Sequence, residues 1–166
     1  PWELLGDLVG IPWYEVREAL VSLDRLPGQR LATVPVGKGV KYPYGLQPLL
    51  APHRRYLVGR GFDPDVISLL WGVQSIGPVG RLSWRLWIPI HSEGKVVSWT
   101  TRAIGERDAR YVSAAPDEES VHHKTLLYGE DLAAHAVVVV EGPFDAWRIG
   151  PGAVAMLGLK ITPEQV

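Results

Sequence analysis

The sequence predicts mixed α and β structure in two successive parts: an α+β subdomain built around an antiparallel hairpin, and then the first β-α-β unit of a parallel α/β fold. Residues 82–103 indicate the first part, because two arms of alternating apolar and polar residues flank the turn at residues 91–94. Residues 137–140 indicate the second part, since a run of four valines is typical of a strand buried on both faces of a parallel sheet. A second apolar strand is predicted at residues 153–157.

Composition bounds the class of protein. The 166 residues suffice for one ordinary domain or two small ones, and 46% apolar with 21% charged residues indicates a globular chain. The net charge of −1 means that any nucleic-acid binding must come from a local basic patch. The absence of cysteine excludes disulfides and thiolate zinc sites from this segment and fits a cytoplasmic protein. No signal peptide or membrane-spanning run is present, so we expect no membrane partner.

Residues 1–52 predict a helical segment followed by a linker. Apolar residues recur at helical spacing over residues 2–23, with an interruption at Gly10-Ile11-Pro12. Residues 24–52 are rich in proline and glycine and show little periodicity, which is typical of a linker. The tripeptide Gly37-Lys38-Gly39 lacks the spacing of a phosphate-binding loop, so a turn is predicted there.

From residue 53 the pattern predicts two helices. The first ends near Gly59, and the second is capped by Asp63 with Pro64 at its first position. Beyond them, Arg85 and Arg102 lie far along the two arms of the hairpin. The sequence leaves the strand register open, so these arginines either share a binding face or are ordinary solvated strand charges.

The second part places two carboxylates close together in sequence. Glu141 follows the valine strand, and Asp145 falls in the first turn of a helix predicted at residues 144–149, with Pro143 suited to its first position. Ligands of open α/β sheets bind outside the carboxyl ends of the strands, and paired carboxylates suit a hard divalent cation that binds phosphates. The alternative is that Asp145 complements the helix dipole and Glu141 is a solvated strand end.

Two further groups of residues need an interpretation. Adjacent His122 and His123 point in different directions and have no third ligand nearby in the sequence, which favours a surface pair over a zinc site. Trp84, Trp87 and Trp99 sit on or near the hairpin, where most are expected to pack in the core and the alternative is stacking on nucleotides.

The second part resembles the opening of a Toprim fold, which DnaG-type primases, topoisomerases and some nucleases share. Glu141, Gly142 and Asp145 match its first acidic motif, and Leu157-Gly158 match the turn after its second strand. The second acidic motif of that family, Asp-x-Asp on the following strand, does not occur before Val166. We therefore expect the chain either to be a piece cut inside the Toprim domain or to lack its tail.

The upstream segments resemble the catalytic core of DnaG-type primases, in the same order. Residues 56–67 are similar to the start of its RNA-polymerase domain, and the hairpin resembles the primase hairpin with its arginines. Residues 110–113 resemble the Lys-Tyr-Leu-Asn-Ser segment, and His123-Lys124 with residues 127–129 resembles the His-Lys and Leu-Tyr-Gly pair at a slightly shorter spacing. More weakly, the segment at residues 6–20 resembles the tail of the primase zinc-ribbon domain.

The resemblance implies three segments: residues 1–52 as a helical segment and linker, 53–134 as the N-terminal subdomain of the primase core, and 135–166 as the start of an incomplete Toprim domain. It implies primer synthesis by metal-dependent nucleotidyl transfer in phage or bacterial replication. The implied partners are a single-stranded DNA template, nucleoside triphosphates and a replicative helicase, at the replication fork in the cytoplasm.

The resemblance also implies roles for individual residues. It makes Glu141 and Asp145 ligands of Mg²⁺ or Mn²⁺, and it places a set of basic and aromatic side chains in the groove for template and nucleotide: Arg85, Arg102, Arg110, Tyr111 and Lys124. Two alternatives stay open, namely a Toprim nuclease or topoisomerase-like enzyme and a catalytically inactive DNA-binding module of a replication helicase.

Overall fold

The computed structural model describes residues 39–133, 137–158 and 161–165. The helical segment expected at residues 2–23 and the first part of the expected linker lie outside the described residues. The described strands are β1 (Leu46–Gln47), β2 (Gln74–Ile76), β3 (Arg85–Ser92), β4 (Lys95–Ala103), β5 (Tyr111–Ser113), β6 (Val138–Val140) and β7 (Ala153–Ala155). The described α-helices are α1 (Ala51–Gly59), α2 (Pro64–Trp71) and α3 (Pro143–Ile149).

The five strands β1 to β5 form one antiparallel sheet in sequential order. The predicted hairpin is confirmed as β3 and β4, joined by a two-residue turn in which Glu93 and Gly94 have φ angles of 54° and 72°. Positive φ at both positions is the geometry of a type I′ turn, whose twist matches that of the strands. The Asp131 carboxylate accepts both turn amides, at 3.1 and 2.8 Å. The sheet also extends into the predicted linker, because β1 lies there.

The second sheet consists of β6 and β7, which pair in parallel with α3 between them in the chain. The expectation that the valine run is buried on both faces was wrong. Val138 and Val139, which point to opposite faces of the strand, are 52% and 47% exposed, so the described residues fully cover neither face of β6. By contrast, all three residues of β7 are buried, so β7 is the strand of this sheet that packs in the core.

A continuous apolar core joins the two sheets through aromatic side chains. The ring of Trp71 on α2 stacks on Tyr128 with ring centres 5.4 Å apart, and the indole N–H of Trp147 on α3 donates to the Tyr128 hydroxyl oxygen at 2.7 Å. Trp87 and Trp99 are buried in a second cluster on the other side of the hairpin, as core packing predicts. This shared core fixes the start of α3 beside β4. No helix in the described part of the chain is long and apolar enough to cross a membrane.

Candidate functional site

A cleft of about 450 Å³ opens where β4 and β5 meet the start of α3. The β-α-β unit contributes Glu141 and Asp145 to its lining, and the sheet subdomain contributes Arg60, Arg102 and Arg110. Carboxylates and guanidinium groups therefore share one solvent-filled space. This combination suits a ligand that carries phosphates together with a divalent cation.

The two carboxylates lie where the local sequence predicts them. Glu141 follows β6 directly, and Asp145 lies in the first turn of α3. Both side chains are exposed into the cleft. A Cβ atom added to Gly142 would lie 3.9 Å from an Asp145 carboxylate oxygen. The Asp145 carboxylate therefore lies next to the Gly142 backbone, where no side chain intervenes. The pair offers only oxygen donors, which is the ligand chemistry that hard divalent cations prefer.

Three contacts hold the Arg102 guanidinium in the cleft. Its guanidinium carbon lies 4.8 Å from the centre of the Tyr111 ring and 5.3 Å from the centre of the Phe144 ring. Its Nε donates to the Tyr56 hydroxyl oxygen at 3.2 Å. Burial raises the pKa of Tyr111 above its ordinary value, against smaller opposing effects of Arg102, so the phenol stays neutral and presents a ring face to the cation.

Arg60 also lies in the cleft, although its sequence context predicted no binding role for it. It caps the C-terminus of α1, and its guanidinium carbon lies 5.5 Å from the centre of the Phe144 ring. Gly61, with φ of 79°, reverses the chain at that point and brings Arg60 to the cleft.

Arg85 is not among the residues that line the cleft, and its expected binding role stays a prediction. In the register of the hairpin Arg85 faces Ala103 and Arg102 faces Leu86, so the two arginines project from opposite faces of the sheet. Arg85 is 5% exposed, and its guanidinium donates to the backbone oxygen of Ala109 at 2.6 Å and to that of Arg110 at 3.3 Å. Arg85 thus supports the loop that carries Arg110.

Lys124 is exposed but is not among the residues that line the cleft, and its expected binding role stays a prediction. The expectation that His122 and His123 have no third ligand nearby was wrong, because the Glu119 carboxylate contacts both rings. The sequence carried a signal for this contact, since Glu119 stands three and four residues before the histidines.

The turn after β7 completes the cleft. Leu157 adopts φ of 58°, in the left-handed region that a non-glycine residue rarely occupies, and Leu157 and Gly158 both line the cleft. Residues in such conformations cluster at functional sites.

Solved DnaG primase structures share this fold. The chain aligns with the DnaG primase catalytic domain bound to ssDNA at a TM-score of 0.61 and 21% identity, covering 72% of this chain and 50% of that one. It aligns with the E. coli primase catalytic core at a TM-score of 0.59 and 21% identity, covering 72% of this chain and 51% of that one. The alignment with the Aquifex aeolicus primase structure, which contains the zinc-binding and RNA polymerase domains, has a TM-score of 0.59 and 21% identity. It covers 70% of this chain and 39% of that one.

No protein-family model and no curated protein matches the chain. The resemblance to DnaG-type primase cores is nevertheless confirmed at the level of fold. The chain spans 50% or 51% of the length of the two catalytic-core structures.

Proposed function

We propose that this chain is part of a DnaG-type primase, which synthesises short RNA primers on single-stranded DNA by metal-dependent nucleotidyl transfer. One observation carries the proposal: Glu141 and Asp145 line the same cleft as the stacked Arg102. The structural neighbour bound to ssDNA supports a single-stranded template as partner. Nucleoside triphosphates would be the substrates, and a replicative helicase would be a further partner.

Glu141 and Asp145 would hold Mg²⁺ or Mn²⁺ as carboxylate ligands. Their donor set fits, because both are exposed oxygen donors in one cleft and Gly142 between them adds no side chain. The bound ion would polarise the phosphates of the incoming nucleotide and favour the alkoxide form of the primer 3′-hydroxyl.

The arginines would bind the phosphates of template and nucleotide. Arg102 is held in place before any ligand arrives, because the rings of Tyr111 and Phe144 and the Tyr56 hydroxyl fix its planar fork. Arg60 and Arg110 add positive charge to the same space. Such contacts position a nucleic acid without reading its sequence.

The test is a primer-synthesis assay with the full-length protein, a single-stranded template, nucleoside triphosphates and Mg²⁺ or Mn²⁺. The proposal predicts short RNA products that require both the template and the metal. Cleavage of the template or DNA relaxation would favour a Toprim nuclease or topoisomerase. Tight template binding without synthesis would favour an inactive binding module.

A further inference from the structure

A second cluster of metal-ligand side chains lies away from the cleft, in the segment that follows β5. Its members are Glu119, His122 and His123, and one ligand atom from each lies within 4.8 Å of the other two. Nδ1 of His122 is 2.5 Å from one Glu119 carboxylate oxygen, and Nδ1 of His123 is 3.0 Å from the other. Two imidazoles thus converge on one carboxylate.

The carboxylate is held in a fixed orientation. The Ser98 hydroxyl on β4 donates to a Glu119 oxygen at 2.5 Å, and the backbone N–H of His123 donates to the same oxygen at 3.0 Å. The Glu119 side chain is 2% exposed. Supporting hydrogen bonds of this kind orient the ligands of metal sites.

The buried Glu119 carboxylate also requires a positive charge nearby. Within the described ranges, only the two histidines form ion pairs with Glu119. A buried anion of this kind is stable only beside a cation, which here is either an imidazolium or a bound metal ion.

We propose that Glu119, His122 and His123 bind a divalent transition-metal ion of the zinc type. Two imidazole nitrogens and one carboxylate oxygen form a common zinc donor set, whereas Mg²⁺ prefers oxygen ligands. Ligands about 2.1 Å from a tetrahedral ion stand roughly 3.4 Å apart. The two imidazole–carboxylate pairs, which are 2.5 and 3.0 Å apart, must therefore separate by less than about 1 Å to admit the ion. The half-exposed His122 leaves one side open, so a water molecule completes the coordination.

The ion would strengthen the attachment of this segment to the sheet. Glu119 is bonded to Ser98, and the Ser120 amide donates to the Val97 backbone oxygen at 2.8 Å, so the segment already lies along β4. A metal ion would add a link between Glu119 and the 3₁₀ turn at His123–Thr125. This role is structural, and it does not depend on the proposed primase activity.

The test uses Co²⁺ absorption spectroscopy and Zn²⁺ titration calorimetry on the 166-residue chain. We expect one tight site with a tetrahedral or five-coordinate Co²⁺ spectrum, and a rise of several degrees in the unfolding midpoint at excess Zn²⁺. His122→Ala and His123→Ala should each lower the Zn²⁺ affinity by more than about tenfold. The matched control, His91→Gln, removes a histidine outside the cluster and should leave the affinity unchanged.

Two outcomes would overturn the site. One is the absence of stoichiometric Zn²⁺ binding, and the other is equal binding by wild type and His122→Ala. Because His123 is buried and its replacement can unfold the segment, the half-exposed His122 decides the question. A double variant, Glu141→Gln with Asp145→Asn, should keep the Zn²⁺ site, and loss of binding there would place the ion in the cleft instead.

Discussion

Arg102 on β4 donates from its Nε to the hydroxyl oxygen of Tyr56 on α1, at 3.2 Å. This bond holds the guanidinium between the rings of Tyr111 and Phe144. Immobilising a free arginine costs about 0.5–1.5 kcal/mol of side-chain entropy on binding. Because the fold has already ordered Arg102, a phosphate ligand bears little of this cost.

Replacing Tyr56 with phenylalanine removes the acceptor for Arg102 but keeps the edge contact with Phe144. We expect the affinity for single-stranded DNA to fall by about 2- to 5-fold, which corresponds to one modest hydrogen bond. Fluorescence anisotropy with a labelled oligonucleotide measures this change. An unchanged dissociation constant would show that the hydrogen bond does not order Arg102 for binding.

Substitutions of Arg102 separate its charge from its shape. Arg102→Ala should lower the slope of log affinity against log salt by about 0.7, because one phosphate contact to a single strand is lost. Arg102→Lys should keep the slope and still weaken binding, since lysine lacks the planar fork that stacks on Tyr111.

The matched control for Arg102 is Arg54→Ala. The Arg54 guanidinium donates to both Asp65 carboxylate oxygens at 2.8 Å, so its charge is already paired outside the cleft. We expect its removal to leave both the affinity and the salt slope unchanged. Equal losses from Arg54→Ala and Arg102→Ala would mean that binding is diffuse and not centred on the cleft.

Tyr128→Phe tests the connection between the two sheets. The variant keeps the ring that stacks on Trp71 but leaves the Trp147 indole N–H without its acceptor in the core. We expect the free energy of unfolding to fall by about 1–3 kcal/mol, measured by urea denaturation. An unchanged stability would contradict a role for this hydrogen bond in joining the sheets.

His53 predicts a pH dependence of stability. It is fully buried against Trp84, and burial lowers its pKa below the ordinary value, against smaller effects from the backbone of Arg85 and Ile76. The unfolded chain therefore binds a proton more readily, so stability is lost as the pH falls below about 6.5. His53→Phe should reduce the change in the urea midpoint of unfolding between about pH 7.5 and 5.5. The same slope in both proteins would contradict this prediction.

Local patterns predicted much of the fold. The alternation in β3 and β4 indicated the hairpin, and Glu93-Gly94 supplied a turn with positive φ at both positions. The proline at the start of α3 and the acid in its first turn were also predictable. The short strands β1, β2 and β5 were not, because two or three residues carry too little periodicity to be read.

The site was only partly predictable, because it depends on register and on contacts distant in the chain. The faces of Arg85 and Arg102 follow from strand pairing, which the sequence left open. Arg60 reaches the cleft because Gly61 reverses the chain after α1 and because residues of α1 and α3 pack in the same core. The packing that buries Glu119 under β4 likewise has no local signature.

Glu141→Gln gives the most direct test of the proposed primase site, in the template-dependent synthesis assay with the full-length protein. Glutamine keeps the size of the side chain but removes the charge that would hold the metal ion, so we expect primer synthesis to fall at least about a hundredfold with DNA binding retained. The matched control, Glu164→Gln, changes an exposed glutamate that does not line the cleft and should keep full activity. Full activity of Glu141→Gln would contradict the assignment of this cleft as the site of nucleotidyl transfer.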